Sequence, residues 1–97
     1  MNAFFDELGA AFASEAKARG AEISAPKLDA PTADELLQLA SVVAHTKERR
    51  FAPLACYLAG VAAGHAQAKN SSFDVAELCK AVREKYLPQE DSSGKTG

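Results

Sequence analysis

The sequence predicts an all-α protein: a compact bundle of about four helices, with a central, charge-poor third helix and a disordered C-terminal tail. Three observations lead there. Apolar residues recur at helical spacing in four separate stretches. Alanine, the strongest helix former, supplies about one residue in five. The four prolines fall between those stretches or at their edges rather than inside them. A chain of 97 residues holds one small domain. We assign residues 1–88 to a single helical domain and residues 89–97 to the tail.

The first helix is expected from about Asn2 to Arg19. Phe4, Phe5, Leu8, Ala11, Phe12 and Ala16 make its apolar stripe, and Gly20 is its natural stop. Residues 21–31 carry Pro26 and Pro31 and read as an extended connection, with Ile23 and Leu28 as isolated apolar anchors. Thr32-Ala33-Asp34-Glu35 has the form of a capping box and predicts the start of the second helix at Thr32. Leu36, Leu39, Ala40 and Val43 form that helix's inner stripe, and it ends near Lys47.

The third helix opens at Pro53, whose missing N–H has no intrahelical partner in a first turn. From Phe51 to Gln67 there is no lysine, arginine, aspartate or glutamate. A helix so poor in charge is expected to be the buried one, with Leu54, Tyr57, Leu58 and Val61 in the core, and a charge at Leu58 should then unfold the domain. Tyr57 and Tyr86 read as core aromatics with a wet hydroxyl. Gly60 and Gly64, with Ala59, Ala63 and Ala66 beside them, leave room for a close neighbour. That neighbour is either another helix of the same domain or, if the chain associates, an interaction partner. Asn70-Ser71-Ser72 makes the next turn and cap. A fourth helix follows from about Phe73 to Tyr86, on the stripe Val75, Cys79, Val82 and Tyr86, and Pro88 stops it.

The formal net charge of −2 argues against a protein built to hold nucleic acid or an anionic membrane. The third helix offers only Gln67 and Lys69 to a DNA groove, so helix-turn-helix recognition is not expected. No apolar stretch approaches the roughly 18–20 residues of a bilayer span. The opening residues lack the basic region of a secretory signal. The expected location is therefore cytoplasmic, with Cys56 and Cys79 as reduced thiols. No nucleophile stands with a base, and no histidine or cysteine set has metal-ligand spacing. No cofactor is implied.

The densest polar cluster is His45, Lys47, Glu48, Arg49 and Arg50, between the second and third helices. His45, Arg49 and Arg50 lie next to a helix N-terminus, where cations and open amides together suit a phosphate or carboxylate. The same charges equally complement the dipole at the end of the second helix.

The run Leu36-Leu37-Gln38-Leu39-Ala40-Ser41-Val42-Val43-Ala44-His45, then Arg49, then Ala52-Pro53-Leu54, Tyr57-Leu58 and Gly60-Val61-Ala62-Ala63-Gly64, resembles a small actinobacterial domain of unknown function. Thr46 and Lys47 stand where that family more often has glycine and an aliphatic residue. The family occurs alone, or beside or fused to the guanylyltransferase of molybdenum cofactor maturation. The lack of a catalytic constellation points to a small non-catalytic accessory or protein-interaction module, and the resemblance implies only a link of that module to molybdenum cofactor maturation. The partner is expected to be a second copy or a larger enzyme, with Gly60 and Gly64 on the contact face. The alternatives are a small-anion or nucleotide-binding domain, or an enzyme subunit using His45 as acid–base.

Overall fold

The computed structural model describes residues 3–87. They form four α-helices and no strand: α1 (Ala3–Ala18), α2 (Ala30–Thr46), α3 (Ala52–Lys69) and α4 (Val75–Lys85). A single 3-10 turn, Arg49–Phe51, leads directly into α3. The all-α class is as the periodicity predicts. The tail expected at residues 89–97 lies outside the described residues. The chain separates into two compact units, Met1–Ala33 and Asp34–Gly97.

In the first unit, α1 ends as its sequence demands. Gly20 adopts φ 97°, the left-handed conformation that glycine takes without strain. The N–H of Ala21 donates to the Ala16 carbonyl at 2.8 Å and that of Gly20 to Lys17 at 3.1 Å, the paired bonds of a Schellman stop. The buried face of α1 differs from the predicted stripe. Phe4, Leu8 and Phe12 are exposed, and the one buried residue is Gly9. The reason is a close backbone approach: a Cβ at Gly9 would collide with the Pro26 carbonyl oxygen. The connection therefore folds back over the smallest residue of α1. Of its two expected anchors, Leu28 is half-buried and Ile23 is exposed.

Helix α2 starts two residues before Thr32. Its cap is Asp29, whose Oδ1 accepts the Thr32 N–H at 2.8 Å. Pro31 is tolerated because first-turn amides have no intrahelical acceptor. Asp29 is the better acceptor for those amides, which is why the capping box at Thr32 is not used. The Thr32 bonds hold the Asp29 carboxyl below its usual pKa.

The second unit contains the rest of α2 with α3 and α4. Its most buried side chains are Leu39 of α2, 5% exposed, and Cys79 of α4, 2% exposed. Asp74 caps α4 by accepting the Glu77 N–H at 3.0 Å. Asn70 instead turns the preceding loop, its Oδ1 accepting from the Ser72 N–H at 3.2 Å and the Ser72 hydroxyl at 3.0 Å. Arg83 of α4 reaches Glu35 of α2 through Nη2 at 3.0 Å.

The burial expected of the third helix is not what the chain adopts. None of the residues of α3 is buried. Leu54, Tyr57 and Leu58 are 61%, 70% and 67% exposed. The half-buried face of α3 is Ala52, Ala55, Cys56, Ala59, Ala63 and Ala66. Cys56 sits against α2, its thiol 3.9 Å from the Leu36 carbonyl oxygen. Small side chains let α3 lie close to its neighbours, and that leaves the large ones pointing outward. Low charge marked a helix without a polar face, but it did not say which apolar face would be covered. Tyr86 is exposed as well, so neither tyrosine is a core aromatic.

Candidate functional site

The outer face of α3, like that of α1, leaves large apolar side chains exposed. Leu54, Tyr57, Leu58 and Val61 are all exposed on one 18-residue helix. On the same helix Gly60 and Gly64 open outward, and a Cβ built at either would meet nothing within 4 Å. These glycines therefore do not serve close packing inside the domain. They leave flat ground beside the protruding Tyr57. Single exposed apolar residues need no explanation, but a set at i, i+3, i+4 and i+7 forms one apolar stripe left open to solvent.

The face runs into a cleft where α2, α3 and α4 meet. One part, of about 180 Å³, is lined by Leu39, Leu58, Ala62, Leu78, Cys79 and Val82. A second, of about 230 Å³, shares Leu39, Leu58 and Val82 and adds Val43, Lys47 and Tyr86. Leu58 thus belongs both to the outer face and to the cleft wall. Sequence periodicity missed the cleft because Leu58 and Val82 fall on stripes that read as filled core.

Cys79 lies at the bottom of this arrangement as a free thiol, and Cys56 is also free. Burial pushes the Cys79 thiol above its usual pKa, and the carboxylate of Glu35 and the neighbouring Cys56 add to that. Burial raises Cys56 too. A thiol held protonated is a poor nucleophile.

The residues proposed from sequence as an anion site are placed as follows. His45 lies in the last turn of α2. Its Nδ1 is 2.7 Å from the Ser41 carbonyl oxygen and so donates to it. Arg50 donates from Nε to Glu48 Oε1 at 2.9 Å. Arg49 is exposed in the 3-10 turn. That turn also uses amides counted as open: Phe51 N–H donates to Glu48 at 3.0 Å and Ala52 N–H to Arg49. Pro53 has no N–H to offer. Local partners thus already satisfy part of the cluster. His65 is exposed near the end of α3. Among the described residues no group of three or more His, Cys, Asp or Glu is placed to hold a metal ion, and no helix is long and apolar enough to cross a membrane.

No curated protein and no solved structure matches the chain. A family model described as a domain of unknown function, DUF6457, matches residues 1–93, and the chain belongs to that family.

Proposed function

For a DUF6457 chain with this surface, we propose a non-catalytic protein-interaction module that docks on a larger partner enzyme through the outer face of α3. The observation that carries the reading is the inversion of α3, with alanines turned inward and Leu54, Tyr57 and Leu58 turned to solvent. Covering those side chains removes apolar surface from water, and tyrosine is among the residues enriched at the centres of interfaces. Gly60 and Gly64 extend the contact face, because a partner backbone can approach closely where no side chain stands.

The resemblance of residues 36–64 to a domain found beside or fused to the molybdenum cofactor guanylyltransferase suggests that enzyme as the partner. A module of this kind would position or stabilise the enzyme rather than supply a reacting group. The test is size-exclusion chromatography of the chain with that guanylyltransferase. The wild type should co-migrate, and Tyr57→Glu should elute alone with an unchanged circular dichroism spectrum. Co-migration that survives a Leu54→Glu/Tyr57→Glu double change would overturn the reading, as would no co-migration of the wild type.

A further inference from the structure

We propose that a second copy of this chain covers the exposed stripe of α1, the two helices pairing antiparallel about a two-fold axis at Leu8.

Helix α1 carries two apolar sides. Phe5, Gly9, Ala13 and Ala16 are its covered side, buried or half-buried within the first unit. Phe4, Leu8 and Phe12 stand opposite and are 59%, 39% and 61% exposed. They recur at i, i+4 and i+8 and make one continuous stripe. The ring of Phe4 meets that of Phe5 edge-on, with centroids 5.2 Å apart, and is braced where it protrudes. Farther along the stripe lies a hollow of about 160 Å³ lined by Leu8, Ala11, Phe12 and Glu15. Those positions, i, i+3, i+4 and i+7, are the four that form the hole for one knob when two helices interlock.

The stripe therefore holds both a knob and a hole, and they match under two-fold symmetry. Phe4 lies four residues before Leu8, and the hole is centred three to four residues after it. Both offsets are about 5–6 Å along the helix axis. An antiparallel second copy drops its Phe4 into the first copy's hole, the first copy's Phe4 fills the second's, and Leu8 meets Leu8. The same patch serves both copies, so the assembly closes at two.

Charge selects the antiparallel sense. Glu15 is the one charged residue lining the hole, and it pairs with Arg19 a turn later. In the antiparallel pair Glu15 lies over the N-terminal end of the second copy's α1, where open amides and the helix dipole favour an anion. A parallel pair would set the two Glu15 carboxylates side by side, where they repel.

Residues 88–97 offer no competing knob, since they carry no aromatic or aliphatic side chain besides Pro88. Phe4, Leu8 and Phe12 present roughly 300 Å² per copy, below the roughly 800 Å² per partner of a standard interface, so the dimer is a weak one. It uses no residue of α3, so dimerisation and docking on a larger enzyme are separable.

The experiment is sedimentation velocity of the full chain from about 10 µM to 1 mM, the range of weak association. The wild type should pass from monomer to dimer across that range, and Tyr57→Glu should do the same. Phe12→Ala, which keeps a strong helix former, should weaken dimerisation at least about tenfold. Phe4→Lys and Phe12→Glu should each stay monomeric with an unchanged circular dichroism spectrum, while an equimolar mixture of the two should dimerise. In that mixture the new ammonium faces the new carboxylate, and the other Phe4–Phe12 contact keeps both its rings. A wild type monomeric throughout, a dimer that survives Phe12→Glu, or a mixture that stays monomeric would overturn the proposal. A dimer lost on Tyr57→Glu would put α3 of a second copy in the contact, and that also overturns it.

Discussion

Arg83 of α4 grips Glu35 of α2 with two donors, Nε at 3.1 Å and Nη2 at 3.0 Å from the same carboxylate oxygen. The two side chains are only 13% and 17% exposed, unlike the solvent-facing pairs Arg19–Glu15 and Arg50–Glu48. Among the described residues this is the one ion pair that joins two helices. Removing one partner leaves the other charge half-buried without its mate. Glu35→Gln or Arg83→Met should therefore cost roughly 1–3 kcal/mol in urea unfolding. Arg19→Met should cost less than about 0.5 kcal/mol, since exposed pairs contribute little. Equal effects at both sites would show that the α2–α4 pair is solvated.

Leu39 and Leu58 lie on facing helices but differ in burial. Leu39→Ala should destabilise by about 2–4 kcal/mol, because it opens a cavity at the best-covered leucine of the unit. Leu58→Asp, which a buried third helix would not survive, should leave the fold intact and shift the unfolding midpoint little. Thermal unfolding followed by circular dichroism measures both. A Leu58→Asp variant that is unfolded at room temperature would mean that the outer face of α3 is covered in solution.

The glycines divide in the same way. Gly60→Ala and Gly64→Ala place a methyl in open space inside a helix, so each should stabilise the free chain by roughly 0.5–1 kcal/mol. Gly9→Ala should destabilise it, because the new Cβ meets the Pro26 backbone, which cannot swing away like a flexible side chain. Urea midpoints of the three variants test the set, and a stabilising Gly9→Ala would contradict the fold-back over α1.

Stability should fall at both ends of the pH scale for different reasons. The Asp29 carboxyl is held below 3.8 by the Thr32 bonds, so its contribution is present above 3.8 and is lost as pH falls through the folded value. Cys79 is raised above 9.0, chiefly by burial. Above 9.0 the unfolded chain ionises first and the folded chain binds more protons, so stability declines as pH rises. Unfolding curves should show a shallower alkaline decline for Cys79→Ala than for the wild type, even though its stability at neutral pH is lower. An unchanged alkaline slope would show that Cys79 is not coupled to folding.

Much of this architecture was legible in residue order. Four periodic stretches became four helices, Gly20 stopped the first, and Pro53 opened the third. Local chemistry also gave the loop at Asn70, though Asp74 rather than that turn caps α4. The departures have a common cause. The Asp29 cap, the Gly9–Pro26 approach and the Glu35–Arg83 pair depend on competition between nearby acceptors or on contacts far apart in sequence. Periodicity weighs side-chain size and so points the wrong face of α3 inward. Its alanines, which allow close approach, decided the packing instead. Of the candidate site, the sequence points to Gly60 and Gly64, whereas the spacing of Leu54, Tyr57 and Leu58 reads as core.

The most direct test of the docking face is a methyl NMR titration of the labelled full chain with unlabelled guanylyltransferase. The docking reading predicts that the methyls of Leu54, Leu58 and Val61 shift or broaden at substoichiometric enzyme, while those of Leu8 and Leu28 stay in place. Perturbation confined to Leu8 and Leu28, or an unaltered spectrum at excess enzyme, would contradict it.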